Sequence, residues 1–218
     1  MNKKDNIIVD HGGYRKMRSF VMAQLVYDLT VKFCDKYISF KSRTHDQMVQ
    51  AARSGVQNIA EGSQTSGTSK KSEIRLTDVA RASLEELKLD YEDFLRQNHF
   101  QKWERNNQFR QELVDNRYTK ANEVINWVHE IHTRVNCKLN ELSKQSEQEK
   151  TSFPELTKFT SCKKASYKEI AANTILTLTN VACYLLDRHL ASLAEDFEHN
   201  GGFTERLYKS RSKNRNKF

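Results

Sequence analysis

The stretch THDQMVQAARSGVQNIAEG, from Thr44 to Gly62, decides how this chain is read. Met48, Ala52, Val56, Ile59 and Ala60 recur at helical spacing while Arg53, Gln57 and Glu61 form a polar stripe, which is the pattern of an amphipathic helix. Thr44 and Gln47 stand at the spacing of a capping box, where hydroxyl and amide satisfy orphan backbone donors. Ala51, Ala52 and Gly55 are small enough to let a neighbouring helix backbone come close. Glycine inside a helix costs about 1 kcal/mol relative to alanine, so Gly55 implies tight contact. Gly62 falls where a C-cap glycine would end the helix. These are the residues of a packed bundle helix, and no chemistry is expected of them.

On the N-terminal side, residues 1–13 read as a loose polar lead-in ending in Gly12-Gly13. A first helix is expected from Tyr14 to Phe40, with Met17, Val21, Leu25, Leu29, Phe33 and Tyr37 three or four apart. At 1.5 Å per residue it spans about 40 Å. Phe20, Met22, Val26, Val31 and Ile38 widen its apolar stripe, and a helix apolar over much of its circumference touches more than one neighbour. That width implies oligomerisation through this helix. Lys41-Ser42-Arg43 is a short link, so the first two helices are antiparallel neighbours. Beyond Gly62, SQTSGTS reads as a turn, and a third helix is expected from Lys70 to Gln97 on Ile74, Val79, Leu84, Leu87, Tyr91, Phe94 and Leu95.

Residues 98–117 fit either a short amphipathic helix or an irregular connection. A further helix, 118–142, repeats Ala121, Val128, Val135 and Leu142 every seven residues, with Val124, Ile125, Ile131 and Leu139 between them, a narrow seam suited to one partner. Residues 143–161, polar and holding the single proline Pro154, read as a linker. Ser166 and Glu169 form a second capping box ahead of a densely apolar helix, 167–198. Its polar Asn173, Thr177 and Asn180 argue against a membrane span. Either 118–142 or 167–198 completes the core. The second is favoured because a wider apolar face needs burial on more sides, leaving 118–142 as an inserted helix. The expected fold is thus all-α, an up-and-down four-helix bundle with an additional inserted helix and a basic C-terminal tail.

One proline, seven glycines and 29% charged residues support the all-helical reading. The apolar content of 37% supplies a modest core. The net charge of +8 is concentrated at the ends: residues 1–44 hold nine Lys/Arg against four Asp/Glu, and residues 203–218 hold six against one. Cys34, Cys137, Cys162 and Cys183 show no metal or disulfide spacing, and the N-terminus lacks a signal-peptide pattern. A cytoplasmic protein with reduced thiols and no membrane span is the expectation.

Gln47, Ala51, Ala52, Ser54 and the run Asn58-Ile59-Ala60-Glu61-Gly62, followed by Glu73, Leu76, Ala80, Ser83, Glu86 and Leu87, resemble the four-helix bundle proteins encoded in large-subunit ribosomal RNA intervening sequences. The likeness covers about residues 14–97. Residues 165–202, with Gly201-Gly202 and the following Glu205-Arg206-Leu207, resemble a suffix segment found after some of these bundles and imply a helix that completes the fold. Relatives include the accessory protein of diversity-generating retroelements, a pentameric barrel that binds a reverse transcriptase and nucleic acid. The resemblance therefore implies a homo-oligomer, a pentamer by that relative, without enzymatic activity and with a protein partner such as a reverse transcriptase. Family members often carry a basic pair just before the paired alanines. Val49 and Gln50 stand there in this chain, so no nucleic-acid surface is carried over to this helix.

Candidate chemistry is sparse. His129 and His132 lie one helical turn apart, with Cys137 beyond, but a zinc ion needs three or four converging ligands. Glu85, Glu86, Asp90, Glu92 and Asp93 lack the Glu-x-x-His partners of di-metal bundles and read as surface charges. No nucleophile motif or phosphate loop appears, so no enzyme, no cofactor and no metal is expected. The basic ends are the candidate site. Arg15, Lys16, Arg18, Lys32, Lys36, Lys41 and Arg43 at and after the first helix, with Arg206, Lys209, Arg211, Lys213, Arg215 and Lys217 in a tail read as disordered when free, are candidates for contacting nucleic-acid phosphates. The alternative is a structural or adaptor oligomer whose basic ends serve solubility alone.

Overall fold

A computed structural model describes residues 11–149 and 166–215, and within them the side chains of 138–149, 213 and 214 are not described. Every regular element among these residues is helical. A 3-10 turn, Tyr14–Lys16, leads into α1 (Arg18–Tyr37), α2 (Arg43–Thr65), α3 (Lys70–Gln97), α4 (Gln108–Asn116), α5 (Ala121–Glu149), α6 (Tyr167–Asn200) and α7 (Phe203–Arg215). The chain divides into two compact units, Met1–Asp90 with Leu176–Phe218, and Tyr91–Ile175. The division falls inside α3 and inside α6.

In the first unit, α1 packs along α2 and α2 along α3. The second contact is as close as Gly55 implies. A Cβ added there would lie 2.7 Å from Leu84 Cδ2, and Leu84 is fully buried. Further along the same face, a Cβ on Gly62 would approach the Glu73 carbonyl and Leu76 Cβ, each at 3.3 Å. Gly55 facing Leu84 while Gly62 faces Glu73 and Leu76 means that α2 and α3 run antiparallel. The first unit's part of α6 is antiparallel to α3 as well, because Lys70 pairs with Asp196 and Arg81 with Asp187. The shared interior contains Ala23, Val26, Met48, Ala52, Ile59, Ala80, Leu87, Ala182 and Leu186, all buried. Of the extra apolar residues of the first helix, Phe20 and Val26 are buried, Met22 and Val31 are half-buried, and Ile38, also half-buried, lies just beyond the end of α1.

The second unit is held differently. Val124, Trp127 and Ile131 form the buried seam of α5, whereas Ala121, Val128 and Val135 are only half-buried. Of the expected seam, Val124 and Ile131 are thus buried while Ala121, Val128 and Val135 flank the contact, and Trp127 joins its centre. Leu113 of α4 is also buried, and the Trp127 indole donates to Glu112 Oε1 at 2.9 Å. Arg134 reaches the same carboxylate at 2.8 Å, and this guanidinium, aided by the indole, holds the Glu112 carboxyl below its ordinary range.

Several boundaries differ from the sequence reading. The first helix is split, because Met17 takes an extended conformation between the 3-10 turn and α1. The N-cap of α2 is Ser42, whose hydroxyl accepts from Thr44 N at 3.3 Å, so Thr44 and Gln47 are not its capping box. Gly62 is a packing glycine: α2 continues to Thr65. Residues 98–117 contain the short helix α4, capped by Asn107, whose side chain accepts from Phe109 N and Arg110 N. The helix expected over 118–142 extends to Glu149, so the first seven residues of the supposed linker 143–161 are helical; residues 150–161 lie outside the described residues. The tail 203–218 is helical to Arg215 rather than disordered. Residues 1–10 of the lead-in, Pro154 and Cys162 also lie outside the described residues.

The stretch 167–212 is long and apolar enough to cross a membrane by length and composition, and 67% of its most apolar window is buried inside the protein. That burial, with Asn173, Thr174, Thr177 and Thr179 among the buried residues, is how a core helix meets the same criterion.

Candidate nucleic-acid interface

The candidate cations lie in the first unit on three segments. Arg15, Lys16 and Arg18 occupy the 3-10 turn and the start of α1, and all three are exposed, with the Arg15 guanidinium 5.3 Å from the centre of the Tyr14 ring. The first turn of α1 has no acidic residue. Cations at a helix N-terminus oppose the macrodipole, so these three side chains contribute nothing to the stability of α1 by their charge. Lys32, Lys36, Lys41 and Arg43 are exposed around the end of α1 and the following turn. Lys36 is favourably placed in the last turn of α1 and lies 5.3 Å from the Tyr37 ring. Lys209, Arg211 and Arg215 are exposed on α7, while the side chains of Lys213 and Lys217 lie outside the described residues.

Arg206 departs from this pattern. Gly201, at φ +66°, closes α6 with its N–H on the Phe197 carbonyl at 3.0 Å, and the Gly202 N–H donates to Glu205 Oε2 at 2.9 Å. That carboxylate caps α7, and a Cβ on Gly202 would come within 3.1 Å of it. The turn directs Arg206 inward, where its Nε and Nη2 atoms are buried. Its charge helps hold the Asp196 carboxyl below the ordinary range, after the hydrogen bonds from Asn200 and Lys70. Two of the three guanidinium nitrogens are thus withdrawn from solvent, and Arg206 as a whole is half-buried.

Six cations elsewhere contrast with these. Lys70, Arg81 and Lys88 pair with carboxylates in the first unit, and Arg96, Lys102 and Arg134 do so in the second. Burial works against the charge of Lys70, and its hydrogen bonds to Glu73 and Asp196 outweigh that, so its pKa lies above the usual value. Among the described residues, Arg15, Lys16, Arg18, Lys32, Lys41, Arg43, Lys209, Arg211 and Arg215 form no ion pair with a carboxylate. The two chain ends thus carry cations without carboxylate partners among the described residues, as do Arg53, Lys71, Arg75 and Arg188 on the helices between.

The other candidates are engaged in local contacts. His132 stacks on Tyr167 with ring centres 3.4 Å apart, and His129 Nδ1 shares a hydrogen bond with the Tyr167 hydroxyl at 3.3 Å. Glu85 pairs with Lys88, Glu92 with Lys102 and Asp93 with Arg96. Among the described residues no group of three or more His, Cys, Asp or Glu converges as metal ligands. Burial, reinforced by Asp35 and Asp90, pushes the Cys34 thiol up to about 12, and burial with Glu85 pushes Cys183 up to about 11; neither is a thiolate at neutral pH. Residues that carry the family resemblance line a polar groove of about 440 Å³, where Gln47, Ser54, Ser83 and Glu86 meet and Ser83 Oγ donates to Ser54 Oγ at 3.1 Å.

Sequence reasoning missed the aromatic pocket of the second unit. Its one visible signal was the density of rings and amides in NHFQKWERNNQF, residues 98–109. No protein-family model, curated protein or solved structure matches this chain.

Proposed function

We propose that this chain is a non-enzymatic, homo-oligomeric helical protein that binds RNA or DNA through backbone phosphates, as an accessory to a partner enzyme. The observation that carries the reading is a set of exposed cations on the 3-10 turn, the α1–α2 connection and α7 that form no ion pair with a carboxylate among the described residues, whereas Lys70, Arg81 and Lys88 on α3 do. Unpaired cations on several segments suit phosphate contact without base readout. On this reading α1, α2, α3 and α6 make an up-and-down four-helix bundle with α5 outside its core. The chain is then a relative of the ribosomal RNA intervening-sequence proteins, and five subunits and a reverse-transcriptase partner come by resemblance to the retroelement accessory protein. Oligomerisation is supported by exposed apolar side chains, with Leu89 at 56% and Tyr184 at 58% exposure, and would multiply the charge into avidity. A cytoplasmic location accompanies it.

Fluorescence anisotropy with labelled duplex DNA and single-stranded RNA over a salt series tests the proposal. The expected log affinity falls linearly with log salt, by about 0.9 per phosphate contacted on duplex DNA. Removing residues 203–218 is expected to weaken binding. No binding at low salt, or binding indifferent to salt, contradicts it. The adaptor reading is favoured by the same exposed apolar residues, and it requires partner capture from a lysate to survive nuclease treatment.

A further inference from the structure

The second unit contains an open pocket of about 400 Å³ lined by Trp103, Phe109, Val135, Ile170, Glu104 and Glu169, among others. The loop that carries Trp103 is fixed from α6. Asn173, 1% exposed, accepts from the Trp103 N–H at 2.7 Å and donates to the Gln101 carbonyl at 2.9 Å. Glu169 Oε1 accepts from the Gln101 N–H at 3.3 Å. Trp103 also lies edge-on to Trp127, with ring centres 6.4 Å apart, and 5.9 Å from Phe109. A connection held at this many points presents its ring faces in a set geometry, which lowers the ordering cost of binding.

The charge of the lining selects among ligands that a pair of aromatic faces could take. Although the protein carries +8, this pocket holds Glu104 and Glu169 against Lys102, and the Lys102 ammonium is already engaged by Glu92 at 3.3 Å. A phosphate would meet like charge here. A planar cation would meet ring faces and carboxylates together, and the Phe109 ring already accepts one such group, the Arg134 guanidinium 6.0 Å from its centre. A neutral nucleobase could stack on the same rings, yet it gains nothing from the two carboxylates.

We propose that this pocket binds a guanidinium group, stacked on Trp103 and Phe109 and donating to Glu104 and to the remaining oxygen of Glu169. The group belongs to free arginine or to an arginine side chain of a polypeptide partner. The proposal concerns residues separate from the cationic surface and stands or falls without it.

The chain has two tryptophans, so its indole N–H signals in a proton–nitrogen correlation spectrum of the full-length protein are two, assigned with Trp103→Phe. Titration with N-acetyl-arginine methylamide is expected to move the Trp103 signal saturably. The blocked lysine analogue, which lacks a flat group, is expected to bind at least about fivefold more weakly. Glu104 is exposed, so Glu104→Gln folds, and it is expected to weaken the arginine compound about tenfold, the loss of one charge-assisted pair. Free arginine binding as well as the blocked compound assigns the site to the amino acid, and weaker binding assigns it to a polypeptide. Three results each overturn the proposal: no saturable shift, tighter binding of adenosine than of the arginine compound, or an unchanged affinity in Glu104→Gln.

Discussion

The two units of this molecule are held by different physics. In the first, helices approach until side-chain volume decides the contact, with Gly55 accommodating Leu84 and Gly62 accommodating the backbone of Glu73. In the second, a connection without regular structure is fixed by polar side chains from a distant part of the sequence, Asn173 above all. The first kind of contact is short-range and tolerates little change in shape. The second depends on satisfying a few backbone groups from the buried Asn173 side chain, and its loss is expressed locally.

The largest expected effect is in the first unit. Leu84→Ala removes a fully buried side chain and is expected to cost about 3 kcal/mol in chemical denaturation. Gly55→Ala alone is expected to cost about 1 kcal/mol, overpacking against Leu84 outweighing the gain in helix propensity. Combined, the two changes should cost less than their sum, because the added methyl enters the space that Leu84 leaves. Additive effects would break the claim that Gly55 exists to admit Leu84.

Asn173→Leu is the counterpart in the second unit. It leaves the Trp103 N–H and the Gln101 carbonyl without their partner, and an expected cost of about 2 kcal/mol follows from those orphaned groups. Hydrogen exchange should accelerate at Trp103 far more than at amides in the middle of α2. Uniform acceleration across the chain would mean that the loop is not the point of failure.

A smaller effect is expected from pH. Burial and the nearby Lys70 charge lower the pKa of His189 below its ordinary 6.5. Unfolding frees the imidazole to take a proton, so the stability from keeping it neutral is complete above pH 6.5 and declines as the pH falls below it. The melting temperature should therefore drop on acidification from neutrality, and His189→Gln should flatten that part of the curve. An unchanged slope would assign the effect to other groups.

Much of the first unit was legible because its signals are periodic and local. The α3 limits, Lys70 to Gln97, follow from apolar spacing alone, and Gly55 announced its close contact. Gly62 misled because a glycine that ends a helix and one that admits a neighbour look the same in sequence. The charge of the α7 segment suggests disorder, whereas its helix rests on capping by Glu205, which depends on the geometry of Gly201 and Gly202. Arg206 looks available in the sequence, although the same turn buries two of its guanidinium nitrogens. Asn173 could not be recognised as a clamp, because its partners Gln101 and Trp103 are about seventy positions away and no periodicity links them. Trp127 does not stand out in the sequence, because the smaller apolar residues around it, Val124 and Ile131 among them, already complete a seam.

The most direct test of the account is whether cations without carboxylate partners, rather than positive charge in general, contact nucleic acid. The measurement compares the salt dependence of duplex DNA binding for two triple variants of equal charge change. In one, Arg15, Lys16 and Arg18 become Gln; in the other, the ion-paired Arg81, Lys88 and Arg96 do. The first variant is expected to lower affinity and flatten the log–log slope by up to about 0.9 for each phosphate no longer neutralised, and the second to leave the slope unchanged. An equal weakening in both variants, or none in the first, would contradict it.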